Sequence, residues 1–258
     1  VDLITYLCNE QLKYTIMGQR HQIFIKIHNP VKSDRNYLSK EDKSKMRKIF
    51  GAAKYTVIAL HHQWLYGRSA IENAKHIIGI TDINTMNKYT NPFHPDSLTM
   101  YNSLDDYIGD VMSMFQVQSN PDHPRGTGIE KMHFLNTGCL EDDGSYNDRW
   151  DMRKYFDRGD NNDGITIIDS IERKYCFMNI CEVDYDYGES VESLEAYKPV
   201  SAIDYVTVYY PEPKDKDENI KVCDTLYHYY GMDVLTAKEV AKIFPLMKDK
   251  LLENNLVK

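Results

Sequence analysis

The sequence predicts an α+β fold: a mainly antiparallel sheet with helices packed outside it and a mainly helical C-terminal part. Three observations carry this reading. Apolar residues alternate in the segment that begins at Met17, the two-residue period of a strand, and the segment that begins at Tyr55 carries a strand-length apolar run. Two stretches with helical spacing then follow one another, from Ser69 and from Ser103, before strand patterns resume. A doubly wound parallel sheet would instead alternate strand and helix throughout. Finally, Ser201 to Asp204 and Thr236 to Glu239 have the capping-box form, and each opens a helical pattern in the last third.

In chain order, Met17 to Ile27 places Gln19, His21, Ile23, Ile25 and Ile27 on one strand face and Arg20, Gln22, Phe24 and Lys26 on the other. Asn29 and Pro30 end it, because proline donates no ladder hydrogen bond and restricts the residue before it. Ser39 with Asp42 caps a short basic helix. Tyr55 to Tyr66 is a second strand, apolar on both faces at Val57 to Leu60, as in the middle of a covered sheet. Gly67 breaks it. Ala70, Ala74, Ile77 and Ile78 then fall at helical spacing, and Ser103 caps a helix with the stripe Leu104, Tyr107, Ile108, Val111, Met112 and Phe115.

Strands follow at Lys131 to Asn136, at Ile165 to Asp169 and at Tyr175 to Ile180, the last two around a turn near Glu172 and Arg173. Arg149 to Phe156 has the pattern of an edge strand, and Asp160 to Gly164 that of a turn. The charge run Lys214 to Glu218 reads as an exposed loop, and Pro245 should split the final helix. These patterns divide the chain into an α+β core over 1–198 and a helical extension over 199–258 packed on it.

Composition narrows the function classes. The 258 residues suffice for a sizeable core, and 42% hydrophobic with 27% charged residues is a globular balance. A formal charge of −8 argues against broad binding to nucleic acid or anionic membranes, which needs a positive face. No run approaches the roughly 18 apolar residues of a membrane-spanning helix, and Val1 to Thr5 lacks the basic end of a signal peptide. The 5 cysteines are odd in number and form no CxxC pair, the pattern of reduced thiols, so a cytoplasmic protein is expected. No cofactor and no metal is expected. The Asp160 to Gly164 turn fails the calcium-loop spacing, since Ser170 stands where the bidentate glutamate belongs.

One segment could carry chemistry. His61-His62-Gln63-Trp64-Leu65-Tyr66-Gly67-Arg68 puts two imidazoles, an amide, an indole and a guanidinium where a buried strand gives way to a helix. Alternation sends His61 and Gln63 to one side and His62 and Trp64 to the other. His62 and Trp64 can line a pocket there, with Arg68 and the helix start holding a carboxylate or phosphate. The same residues also suit a packed core. In an antiparallel pair of the first two strands, Arg20 or His21 lies across from His61 or His62, which completes a candidate pocket of Arg20, His21, His61, His62, Gln63, Trp64 and Arg68. Walker A, GxGxxG, HExxH and GxSxG patterns are absent from the sequence.

The segments Met17 to Gln22, His61 to Arg68 and Asp160 to Gly164 resemble those of uncharacterised bacteriophage-type proteins, in patches between Met17 and Phe177. The resemblance implies a viral or mobile-element origin and brings no activity with it. If Met17 matches the start of those proteins, the first 16 residues are an extension. The expected role is therefore a phage or mobile-element accessory or virion-associated protein, in the host cytoplasm or the virion, that acts by binding a protein partner or itself. The 20 tyrosines suit such an interface. The element order also resembles the start of the αββα sandwich of Ntn hydrolases, which implies an amidohydrolase or transferase with a pocket near His62 and Trp64. Val1 cannot serve as the N-terminal nucleophile that such chemistry uses.

Overall fold

The computed structural model of the chain describes residues 20–29, 39–50, 54–63, 65–82, 92, 101–115, 129–135, 138–140, 146–147, 164–179 and 197–258. Its centre is an eight-stranded sheet in the order β5-β4-β3-β2-β1-β6-β7-β8. The strands are β1 (Arg20–His28), β2 (Tyr55–Gln63), β3 (Ile129–Phe134), β4 (Gly138–Leu140), β5 (Tyr146–Asn147), β6 (Ile165–Asp169), β7 (Lys174–Met178) and β8 (Asp233–Val234). The run from β5 to β1 and the β6–β7 hairpin are antiparallel. The β1–β6 and β7–β8 pairs are parallel, so the sheet is mixed.

Both faces of the sheet are buried. Ile23, Ile25, Ile27, Ile58 and Leu60 belong to one core, and Phe24, Val57 and Ala59 to another, as strand alternation requires. The first core is covered by α1 (Lys40–Phe50), α2 (Gly67–Thr81), α3 (Leu104–Phe115) and α4 (Ala202–Tyr209). The second is covered by α6 (Ala237–Ile243) and α7 (Lys248–Glu253), with the Phe24 and Phe244 rings 4.6 Å apart. This gives three layers, helix, sheet and helix. The described strands form one sheet, which corrects the expectation of two stacked sheets in an αββα sandwich. The physical reason is that β1 and β2 bury apolar side chains on both faces, and the C-terminal helices supply the second cover.

Local chemistry explains the helix ends. The hydroxyls of Ser39, Ser103 and Ser201 accept from the backbone N–H three residues on, at Asp42, Asp106 and Asp204. Thr236 and Glu239 form the reciprocal capping box that opens α6. Pro245 separates α6 from α7 through a 3-10 turn over Pro245–Met247.

The charge run at Lys214 is not a loop, which is a second correction. Pro213–Asp215 form a 3-10 turn that leads into α5 (Lys216–Asp224), and α5 continues into a π-helical turn over Thr225–Tyr229. Asp217 and Glu218 suit the first turn of α5, where carboxylates complement the helix dipole. Its one buried residue, Asn219, donates to the Tyr210 carbonyl at 2.9 Å. Among the described residues, no helix is long and apolar enough to cross a membrane. The expected edge strand at 149–156 and the acidic residues of the Asp160 turn lie outside the described residues.

Candidate functional site

The two ends of the central strands hold buried polar side chains of different kinds. At the end marked by His28 and Asp169, the chain satisfies its own groups. Lys26 Nζ donates to Asp169 Oδ2 at 2.7 Å, and Asp169 Oδ1 accepts from the N–H groups of Ile171 and Glu172. Ser170 donates to the Lys26 carbonyl, Thr56 to Asn29, and Arg173 to both oxygens of Asp82. A shallow surface dip there, without room for a water molecule, is lined by Ile78, Asp82, Ile168, Arg173 and Met232. Its two charges are spent on each other. This end is structural.

At the opposite end the register brings together residues that the sequence singles out. Arg20 pairs with Gln63, His21 with His62 and Gln22 with His61 across β1 and β2. Because neighbours on a strand alternate, His21 and His62 share the face of Ile23, while Gln22 and His61 share the face of Phe24. His21, Gln22 and His62 are 0% exposed and His61 is 3% exposed. His21 Nε2 and Thr166 Oγ1 are 2.7 Å apart, a hydrogen bond whose donor depends on the imidazole tautomer. The His21 ring also meets Tyr205 edge-on, and Tyr205 stacks on Phe177 at 4.7 Å.

Gly164 makes this packing possible. Its φ of +116° is open to glycine, and a Cβ there would lie 2.6 Å from the Met178 carbonyl oxygen and 3.5 Å from the His21 ring. The chain can therefore enter β6 directly beside His21.

Two residues that the sequence reading did not single out as a pair matter most here. Gln22 and Asn179 are 0% and 3% exposed, and the amide nitrogen and oxygen of both lack a hydrogen-bond partner. Leaving such a group unpaired in the interior costs about 1–3 kcal/mol. The only available signal was a polar residue at a strand position with buried neighbours. Glutamine on a strand gives no hint of whether it finds a partner.

Arg68 stands apart from the imidazoles. The carboxylates it meets are the chain's own: Nη2 lies 2.9 Å from Asp215 Oδ1 and Nη1 2.8 Å from Glu218 Oε2, while Nε donates to Asn219 Oδ1. The guanidinium also lies 4.0 Å from the Tyr210 ring centre. Trp64, and the side chains of Arg20 and Gln63, lie outside the described residues.

The described thiols are poor nucleophiles. Burial pushes the Cys176 thiol well above its ordinary range, and burial pushes Cys223 up to about 12. Among the described residues, no three His, Cys, Asp or Glu side chains gather to hold a metal ion. No family model, curated protein or solved structure matches the chain.

Proposed function

We propose that this chain is an accessory protein of the phage or mobile-element kind, acting by binding, with the polar end of β1, β2, β6 and β7 as its recognition site. The observation that carries this reading is the contrast between the two strand ends. One end pairs its buried polar groups internally. The other keeps His21, Gln22, His61, His62, Thr166 and Asn179 in the interior and leaves both carboxamides unpaired. Polar groups kept at a cost to stability are characteristic of binding and catalytic sites.

Binding has more support than turnover. The described thiols are held protonated, and the described strands form one sheet where an Ntn-type amidohydrolase or transferase has two stacked ones, so the likeness in element order does not extend to the layers. The tyrosine-rich composition supports a protein partner or self-association elsewhere on the surface, where Tyr227 is 68% exposed.

A thermal-shift screen of small polar compounds against the wild type and Gln22→Leu tests the recognition site. The expected result is a variant that melts at or above the wild type and no longer responds to compounds that stabilise the wild type. A variant that melts far lower, with no compound distinguishing the two proteins, would sink the proposal.

A further inference from the structure

We propose that the outer face of α1 and α3 docks a second copy of the chain, turned so that α1 of each copy lies against α3 of the other. This rests on the self-association named above and is independent of the strand-end site. α1 carries Lys40, Lys43, Lys45, Arg47 and Lys48 against Glu41 and Asp42, in a chain whose formal charge is −8. All five cations are exposed. α3 is the reverse. Asp105, Asp106 and Asp110 are exposed, and the helix holds no cation.

The two helices lie side by side in the first cover layer. On their buried sides the Phe50 ring meets Tyr107 edge-on at 6.0 Å, and across the seam Lys45 Nζ lies 3.8 Å from Asp105 Oδ1. A positive strip therefore runs beside a negative one. Lys40, Lys43 and Arg47 fall at i, i+3 and i+7, one strip of α1, and Asp106 and Asp110 share a strip of α3 with Gly109. Lys40, Lys43, Arg47 and Asp106 take part in no ion pair among the described residues.

The juxtaposition selects the partner. A polyphosphate laid on α1 would come within a Debye length, about 10 Å, of the α3 carboxylates, and so would an acidic peptide. The face fits a partner that is itself bipolar, with a negative strip beside a positive one. A second copy has that pattern by construction. A two-fold axis along the seam sets each α1 against the partner's α3, the self-complementary arrangement of an isologous dimer. Size sets the strength. Two helices about 17 Å long and 9 Å apart offer far less than the roughly 800 Å² per partner of a stable complex. The dimer is therefore weak and salt-sensitive, its orientation fixed by charge.

Sedimentation equilibrium of the full chain tests this. The expected result is a dimer in about 20 mM NaCl whose dissociation constant weakens at least about tenfold in 300 mM. Lys40→Glu with Arg47→Glu should be monomeric, and so should Asp106→Lys with Gly109→Lys. The second pair lowers the chain's net negative charge, so general repulsion alone would make it associate more, not less. Mixing the two reversed proteins should restore a dimer, because both strips are then complementary again. The substituted positions are exposed and Gly109 leaves open space for a side chain. The single changes Lys40→Glu and Gly109→Lys, each weakening the dimer several-fold, keep the test open if a double variant does not fold. A wild type that stays monomeric in low salt overturns both this proposal and the self-association reading, and leaves the strand-end site standing. A dimer indifferent to both reversals, or reversed proteins that fail to pair on mixing, overturns this face alone. A labelled single-stranded oligonucleotide bound by the wild type and released by Lys40→Glu with Arg47→Glu would make α1 a nucleic-acid contact and overturn the proposal.

Discussion

Arg68 and Asp215 form an ion pair at 2.9 Å that ties the first turn of α2 to the turn preceding α5. Their side chains are 19% and 18% exposed, so the contact is better shielded than a surface pair. Glu218, Asn219 and the Tyr210 ring complete the surroundings of the guanidinium. Arg68→Ala should lower unfolding stability by about 1–3 kcal/mol, since charge-assisted hydrogen bonds and a cation–π contact go together. Arg68→Lys should recover only part of this, because an ammonium cannot reproduce the guanidinium's fork of donors. Urea unfolding of the three proteins measures it, and an alanine variant as stable as the wild type would contradict the assignment.

Two glycines should respond to alanine in opposite directions. At Gly164 the positive φ and the 2.6 Å approach to the Met178 carbonyl oxygen make Gly164→Ala costly, by about 2–4 kcal/mol. Gly109, in the middle of α3, has open space around an added Cβ, so Gly109→Ala should stabilise by about 0.5–1 kcal/mol. Melting midpoints that move the same way for both variants would count against this backbone account.

The capping box of α6 makes stability depend on acid. Lys174 Nζ donates to Glu239 Oε1 at 2.6 Å, and the Thr236 N–H donates to Oε2 at 2.9 Å. Lys174 first, and then Thr236, hold the Glu239 carboxyl down to about 2 from its ordinary 4.5. The hydrogen bond to Glu239 in turn raises Lys174. A depressed carboxyl contributes stability that is fully present above the unfolded value and is lost as pH falls through the folded one. The melting difference between wild type and Glu239→Gln should therefore be constant above about pH 5 and close between roughly pH 4.5 and 2. It should be modest, because Glu239 and Lys174 are 36% and 30% exposed and screened by solvent. A difference that does not change with pH would rule out Glu239 as the titrating group.

Much of the local structure was legible. The alternation around Ile23 marked β1, the apolar run Val57 to Leu60 marked β2, and the Ser39, Ser103, Ser201 and Thr236 caps marked where helices begin. Even the proximity of His21 and His62 followed from antiparallel pairing. The α5 helix was not legible, because a run of alternating charges looks the same in a loop and on a solvated helix face. β8 was missed because two exposed residues carry no period.

The candidate site divides in the same way. The sequence by itself determined which polar residues sit at the end of β1 and β2 and on which face each lies, because alternation is a property of the backbone. Only the tertiary structure decided what they meet. It laid β6 parallel to β1, which brought Thr166 to His21 and left Gln22 beside the strand start without a partner. It also directed Arg68 to Asp215 and Glu218, far along the chain. Periodicity records what a segment must bury. The choice of partner is made between segments distant in sequence, where local pattern carries no information.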